Sequence, residues 1–304
     1  MASDNLLGEF LRARRALTRP SDFGLPEPIR RRSPGLRREE VALLVGVSVD
    51  YYVRLEQGRD RNPSQQVLNA LARVFQLDDE ATAHLYELAR PEPRRRRAGN
   101  RRPEKVGPGL LRLLDCWPHT PAIVLGRHLD VLAGNLLASA LAACHNAGQN
   151  AIQALFLDPG SRTTFPDWHT VAADTVASLR AAAGTDLDDP RLTDLVGELS
   201  LKSEEFRQLW ARHDVRNRTT GTKRFVHPMV GELTLDFETF TVNSAPGQAL
   251  VVYYAEPGSP SAHALGLLGS AVATDRQPEL RQPQPKTTAP EAGAQQRTAA
   301  NDQR

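Results

Sequence analysis

The segment 37–58 constrains the fold of this chain more than any other. Residues 37–45 and 49–57 both space their apolar side chains as a helix does, and Gly46 between them suits a left-handed helix end. Ser48 suits the N-cap of the second helix, and Ala42 is small enough to let two short helices cross closely. A bare Ala-x3-Gly pattern also fits a generic helical hairpin. The flanking helical segments and the exit Leu-Glu-Gln-Gly-Arg favour a helix-turn-helix unit.

Helical register divides the side chains of this unit into two sets. Those predicted to share a core are Val41, Val45, Tyr52 and Leu55. Those left on the outer face of the second helix are Val49, Asp50, Tyr51 and Arg54. An outer face of this kind would meet base edges in the major groove of DNA.

Each outer residue has a plausible nucleic-acid partner. Arg54 suits the two acceptors of guanine, Val49 a thymine methyl group and Asp50 a cytosine amine. Tyr51 is as consistent with a base or sugar contact as with none. Residues expected near phosphates are Arg38, Ser48, Gln57, Arg59 and Arg61. For any single arginine, a solvated surface charge stays open as the alternative.

The charge of the chain is unevenly divided. Residues 1–105 carry six more basic than acidic side chains, whereas residues 106–304 carry four more acidic than basic ones. A basic front end indicates a polyanionic partner. Only four of the 38 basic residues are lysine, which suits phosphate recognition but is equally consistent with a GC-rich genome.

Composition excludes several classes of protein. Two cysteines, Cys116 and Cys144, rule out a disulfide scaffold and cannot complete a structural zinc site. No apolar run reaches the roughly 18 residues of a membrane span, and the N-terminus is too polar for a signal peptide. We therefore expect a cytoplasmic protein without a membrane partner.

Composition and periodicity predict two domains. The expected organisation is an all-α DNA-binding domain at 1–90, a basic linker at 91–108, an α+β domain at 109–272 and a disordered tail at 273–304. Helices are predicted at 6–17, 37–45, 49–57, 65–76, 78–89, 110–116, 135–144, 151–157, 166–183, 190–199, 204–213 and 261–268. Strands are predicted at 121–125, 128–133, 223–227, 232–242 and 249–255, forming a small antiparallel sheet with helices on one face.

The first domain resembles the phage-repressor-like (XRE) helix-turn-helix family, and the whole chain is similar to the MmyB-like transcriptional regulators. The motifs that carry this likeness are Pro34-Gly35-Leu36-Arg37-Arg38-Glu39-Glu40-Val41-Ala42, Asp130-Val131-Leu132-Ala133-Gly134-Asn135, Phe165-Pro166-Asp167-Trp168, Leu209-Trp210-Ala211-Arg212-His213-Asp214-Val215 and Val230-Gly231-Glu232-Leu233. The resemblance implies a repressor-like domain followed by a PAS-like domain that binds a fatty-acid-like ligand. It also implies a pair between Glu56 and Arg15. Gly134 departs from the tryptophan that relatives often have there.

For the implied pocket, the candidate lining residues are Trp117, Asn135, Trp210, His213, Arg216 and Tyr253. For each of them, core packing or a structural hydrogen bond is at least as consistent with the sequence. No motif places a nucleophile, a metal site or a nucleotide loop, and His213 and Asp214 diverge if they are adjacent on a helix. We therefore expect no enzyme, no catalytic residue, no metal and no cofactor.

These patterns predict a bacterial, sequence-specific transcriptional regulator that senses a small apolar, fatty-acid-like molecule. Its expected partners are a double-stranded DNA operator, the ligand and a second copy of the chain in a homodimer, and it is expected to be nucleoid-associated when bound. The alternative is a DNA-binding regulator whose second domain serves only dimerisation or a partner protein.

Overall fold

The protein consists of a helical unit followed by an α+β unit, and the computed structural model describes residues 5–25, 35–60, 62–89, 104–184, 189–216 and 219–276. The helices of the first unit are α1 (Leu6–Leu17), α2 (Arg38–Val45), α3 (Val49–Glu56), α4 (Gln65–Val74) and α5 (Asp79–Ala89). Those of the second are α6 (Pro108–Asp115), α7 (Leu136–Leu141), α8 (Ala151–Leu157), α9 (Ser161–Thr164), α10 (Trp168–Ala183), α11 (Pro190–Lys202), α12 (Glu204–Ala211) and α13 (Pro260–Arg276). Its strands are β1 (Ala122–Leu125), β2 (Val131–Gly134), β3 (Thr220–His227), β4 (Gly231–Thr241) and β5 (Ala249–Tyr254). No helix within the described ranges is long and apolar enough to span a bilayer.

Local sequence signals set the boundaries of the helix-turn-helix unit. The hydroxyl of Ser48 accepts a hydrogen bond from the backbone N–H of Tyr51 at 3.1 Å, and Ser64 caps α4 in the same way. Gly46 ends α2 with φ at +79°, a left-handed conformation that glycine adopts without a steric penalty. The predicted caps and the predicted turn are confirmed.

The helical unit has its own core, built where the apolar faces of its helices meet. Val41, Tyr52 and Leu55 are fully buried, as the register predicts, and Val45 lies partly buried at the edge. Gly8 allows α1 to pack closely on the end of α3, since a Cβ at Gly8 would lie 2.1 Å from the carbonyl oxygen of Glu56. This close approach brings α1 within reach of the side chains that end α3.

A five-stranded antiparallel sheet forms the centre of the second unit, with the strand order β2-β1-β5-β4-β3. The longest ladder joins β3 and β4, in register from Thr220 opposite Glu238 to His227 opposite Gly231. The predicted α+β class with a small antiparallel sheet is confirmed. The last strand, β5, lies in the middle between β1 and β4, so it joins the first two strands, which precede the helices α7–α12, to β3 and β4, which follow them.

Helices cover both faces of this sheet. The larger core lies under one face, where buried side chains of α7, α10 and α13 pack against those of β3, β4 and β5. On the other face α6 places Leu114 against Ala122, Val124 and Leu250. The expectation of helices on one face only was therefore wrong, because alternate residues of β1 and β5 are apolar on both sides.

Some element boundaries differ from those predicted. The second strand begins at Val131 rather than 128, since Leu129 has φ at +63° and cannot continue a strand. The segment 166–183 is helical only from Trp168, and α13 continues to Arg276, well past the predicted end at 268. Most of the predicted linker and of the predicted tail lies outside the described residues.

Candidate nucleic-acid interface and ligand-binding core

The outer face of α3 is available to a partner. Val49, Asp50 and Arg54 are exposed, and Tyr51 is half-buried beside them. Tyr52, one residue further, is completely buried, as helical register predicts. The helix therefore has one face in the core and one face in solvent, which is the arrangement that reading a groove requires.

Arg54 is already oriented on this face. Its Nη1 lies 2.6 Å from Oδ2 of Asp50, one helical turn earlier, and its guanidinium lies 6.0 Å from the centroid of the Tyr51 ring. Both partners in the ion pair are exposed, so the pair contributes little to stability. Its effect is to restrict where the remaining N–H groups of the guanidinium point.

A buried carboxylate joins three helices behind the reading face. Glu56 is fully buried; its Oε1 lies 2.6 Å from Nε of Arg15 and its Oε2 lies 2.7 Å from Nε of Arg38. Burial alone would raise the pKa of Glu56, but the hydrogen bonds from the two arginines outweigh it and hold this pKa below its ordinary value. The Arg15–Glu56 pair that the resemblance implied is confirmed, and Arg38 keeps 44% of its side chain exposed.

The other residues expected near phosphates surround this helix pair. Ser48, Gln57 and Arg59 are exposed, and the hydroxyl of Ser48 accepts the capping hydrogen bond, so that its own proton is free to be donated. Arg61 lies outside the described residues. Positively charged and polar donors thus lie at both ends of α3.

The apolar core at the centre of the second unit contains the polar side chains of His145 and Tyr253, which we call the polar focus. The ring of His145 is buried, stacks on Tyr253 at 5.2 Å between centroids and meets Phe225 edge-on. Its Nε2 lies 3.5 Å from the Tyr253 hydroxyl and its Nδ1 lies 3.3 Å from the carbonyl oxygen of Ala138. Burial, together with the charge of Lys223, lowers the pKa of His145 to about 3, so that the imidazole is neutral at physiological pH.

Lys223 brings a positive charge to this focus. Its side chain is half-buried, and Nζ lies 5.3 Å from the Phe237 ring and 5.8 Å from the Tyr253 ring. Within the described part of the chain, no carboxylate pairs with this ammonium group. Burial also raises the pKa of the neighbouring Cys144 thiol to about 11, which keeps it protonated and a poor nucleophile.

Comparison with protein families finds a match for each of the two units. Residues 106–268 match the MmyB-like transcription regulator ligand binding domain, and residues 6–85 match a helix-turn-helix domain. The chain belongs to the MmyB-like transcription regulators. It is a DNA-binding transcription regulator with a ligand-binding domain. No curated protein matches the chain.

The structure of this MmyB-like regulator distributes the six predicted pocket residues over three places. Tyr253 lies in the main core, at the polar focus. The amide of Asn135 caps α7 through Ala138 and also bonds backbone groups of Trp117, Thr120 and Ala122, so that all of its hydrogen-bonding capacity is used.

The third place is the end of α12. There Trp210 stacks on Phe206, His213 adopts a φ of +53°, and Arg216 lies 3.8 Å from Asp174. Trp210 packs against a second buried cluster, whereas Tyr253 belongs to the main core.

Three residues that matter to these sites were missed in the sequence. Lys223 could have been found: it lies two residues before Phe225 on β3, so both side chains point to the same face of the sheet. No such pattern marks His145. Arg180 had no such signal. It is only 2% exposed, and its environment comes from α12, thirty residues further along the chain.

Proposed function

We propose that this MmyB-like regulator binds a specific double-stranded DNA operator as a homodimer, reads it with the outer face of α3, and changes its DNA binding when a fatty-acid-like molecule enters the PAS-like second domain. The observation that carries the DNA-reading part is the two-sided character of α3. The helix is held in the core by the buried side chains of Tyr52, Leu55 and Glu56. Its opposite face exposes Val49, Asp50 and Arg54 to solvent.

The DNA part is tested by selecting binding sites from a random library with the full chain and then measuring affinities for single-base variants. Arg54→Ala should lose discrimination at one base pair by about 1–3 kcal/mol, because the guanidinium is the group suited to guanine. Arg162→Ala is the matched control, since Arg162 is an exposed arginine of the second unit. A selected site that Arg54→Ala and the parent protein recognise equally would contradict this role.

The proposed ligand is an apolar chain with a carboxylate. What supports it is the combination of an aromatic core and the half-buried ammonium of Lys223, which pairs with no carboxylate among the described residues. A carboxylate placed at Lys223 would be neutralised, and its alkyl chain would lie against Phe225, Phe237 and Tyr253.

Lipid extraction of the purified chain followed by mass spectrometry tests the ligand class. Titration with a series of straight-chain fatty acids then gives affinities. We expect Lys223→Met to weaken binding about tenfold or more, and Lys202→Met, which removes a solvent-exposed lysine on α11, to leave it unchanged. If no fatty acid co-purifies or binds, the second unit is a dimerisation or partner-protein module instead.

What supports the homodimer is the small size of the helix-turn-helix unit. A single helix-turn-helix unit contacts only a few base pairs, so that adequate specificity calls for two copies at a fixed spacing. Light scattering on the free chain and on its complex with the selected operator gives the stoichiometry. One chain per operator would rule the dimer out.

A further inference from the structure

An arginine of the helix-turn-helix unit binds to the ligand-binding unit. Arg14, in α1, donates from Nη1 to Oδ1 of Asp214 and from Nη2 to the backbone carbonyl oxygen of His213, each at 2.9 Å. The partners are about 200 positions away in the chain. The side chains of Arg14 and Asp214 are 15% and 24% exposed, so this ion pair is largely shielded from water.

The acceptor segment is held rigidly on the side of the ligand-binding unit. Nη2 of Arg180, in α10, donates to the carbonyl oxygen of Trp210 at 2.7 Å, and its guanidinium lies 3.9 Å over the Trp210 ring. Nε of Arg212 lies 3.0 Å from the second oxygen of Asp214. Both oxygens of the Asp214 carboxylate are therefore bound, and α12 ends in a fixed position.

α10 extends from the ligand-binding core to this contact. Trp168 and Val171, near its N-terminus, belong to the main core under the sheet. Leu179, near its C-terminus, packs on α11 and α12, and Arg180 follows it. A change in the packing of the main core can move the segment that binds Arg14, because a helix transmits displacement along its axis.

α1 lies between the contact and the DNA-reading helix. Arg14 faces the second unit and lies over the ring of Phe10 at 5.3 Å, while the next residue, Arg15, faces α3 and pairs with Glu56. Neighbouring residues on a helix diverge by about 100°, so one turn of α1 contacts both sides. The contact leaves the outer face of α3 exposed, so docking is compatible with DNA binding.

We propose that α10 and the end of α12 form a docking surface for α1, and that the Arg14–Asp214 pair fixes the orientation of the DNA-reading head relative to the ligand-binding domain. The docking surface stands on the contacts alone. The part in which ligand alters docking through α10 rests on the proposed function.

Distance measurements on the full chain test the docking directly. Spin labels at the exposed native Cys116 and at Leu43→Cys, a position that is 75% exposed on α2, report the separation of the two units. Cys144 reacts slowly because burial raises its pKa to about 11. A control chain without Leu43→Cys carries label only at Cys116 and at any Cys144 that has reacted, so it reveals labelling of Cys144. We expect one narrow distance distribution for the parent chain.

The variants Arg14→Met and Asp214→Asn lie in different units and each removes one charge of the pair. Either one should broaden the distribution, and the two together should broaden it no further, since they break the same contact. The control variants Arg162→Met and Glu205→Gln, which break an exposed ion pair within the second unit, should leave it narrow. A broad distribution in the parent, or variants as narrow as the controls, would overturn the proposal.

Operator affinity with and without fatty acid separates docking from ligand sensing. Release of the head should weaken operator binding about fivefold or more and abolish any response to fatty acid, as expected when a coupling contact is lost. A parent chain that responds to no fatty acid would contradict the proposed ligand, while the distance distributions still decide whether docking exists. Variants that keep the full fatty-acid response despite a broadened distribution would show that the signal takes another route.

Discussion

Arg15 Nε and Glu56 Oε1 lie 2.6 Å apart in the interior of the helix-turn-helix unit, and the same carboxylate also binds Arg38. Because Glu56 is completely buried, its charge is tolerated only while both arginines are in place. The triad ties α1, α2 and α3 together directly behind the exposed face of α3.

Glu56→Gln should therefore lower the free energy of unfolding by about 3 kcal/mol, since it leaves Arg15 without its counter-charge in a buried site. Urea denaturation of the full chain measures this, with Glu205→Gln as a control in which the carboxylate is exposed. The stabilisation by Glu56 should be complete above its ordinary pKa and be lost as the pH falls through its lowered value in the folded protein. A variant with unchanged stability but a new operator preference would mean that Glu56 contacts DNA.

Asp50→Asn should change DNA recognition more than stability. The Asp50–Arg54 pair is exposed on both sides, so that its loss should alter the free energy of unfolding by less than about 1 kcal/mol. Removal of the carboxylate frees the Arg54 guanidinium and removes a negative charge that faces DNA. We expect stronger binding to random DNA and weaker discrimination at the base pair that Arg54 reads, measured by competition between selected and random DNA. Unchanged discrimination would show that Asp50 does not orient Arg54.

Arg59→Ala should weaken binding to all sequences about equally. Arg59 is exposed just after α3, where a phosphate contact would position the protein without reading bases. The slope of the logarithm of affinity against the logarithm of salt concentration should become shallower by about 1. Arg191→Ala, at an exposed site of the second unit, controls for net charge. A loss confined to one base pair would instead assign Arg59 a reading role.

The junction between the two units should weaken in acid. His84, on α5, is buried, and its pKa is lowered to about 4 by burial and by the charges of Arg180 and Arg14. The pKa of His213 is lowered to about 3, again by burial first and then by Arg180, Arg14, His84 and Arg12. Acidic groups near this junction include Asp214, Glu87 on α5 itself, and Asp78 and Glu9, whose charges act on Arg14 and Arg180.

Both histidines are thus neutral in the docked protein, whereas their ordinary pKa is 6.5. The contribution of each neutral histidine to the free energy of unfolding is therefore complete above its ordinary pKa and is lost as the pH falls. For His84 the loss is about 1.4 kcal/mol per pH unit until the pKa of His84 in the folded protein is reached. Unfolding measured between neutral and mildly acidic pH should show the summed loss from His84, His213 and the buried His145, and His84→Gln should remove the share that belongs to His84. His263→Gln, at an exposed site, should not. A slope that His84→Gln leaves intact would assign the acid sensitivity to other groups.

Local sequence rules predicted the helix-turn-helix unit well. The cap at Ser48, the left-handed Gly46 and the burial of Tyr52 depend on residues within one or two turns, where covalent geometry leaves few alternatives. The strands of the second unit were also found, because alternation is a local property as well. Even the Arg15–Glu56 pair came from the sequence, although only through the family resemblance.

Contacts between distant segments were decided by the tertiary structure. The sequence does not show that α6 covers the second face of the sheet or that the amide of Asn135 forms hydrogen bonds with backbone groups. Nor does it show that Trp210 and Tyr253 belong to different parts of the domain. Each of these depends on which apolar faces meet once the chain is compact. Residue spacing along the chain does not predict which of these faces will pack together.

The sequence by itself thus determined the helix-turn-helix unit and the exposed face of α3, because both depend on helical register, while the family came from the resemblance of its motifs. Only the tertiary structure placed Arg14 against Asp214 and Arg180 against Trp210. A charged side chain in solution has many possible partners, and the one it takes is set by the packing that brings two surfaces together and excludes water from between them. That packing is a property of the folded chain as a whole.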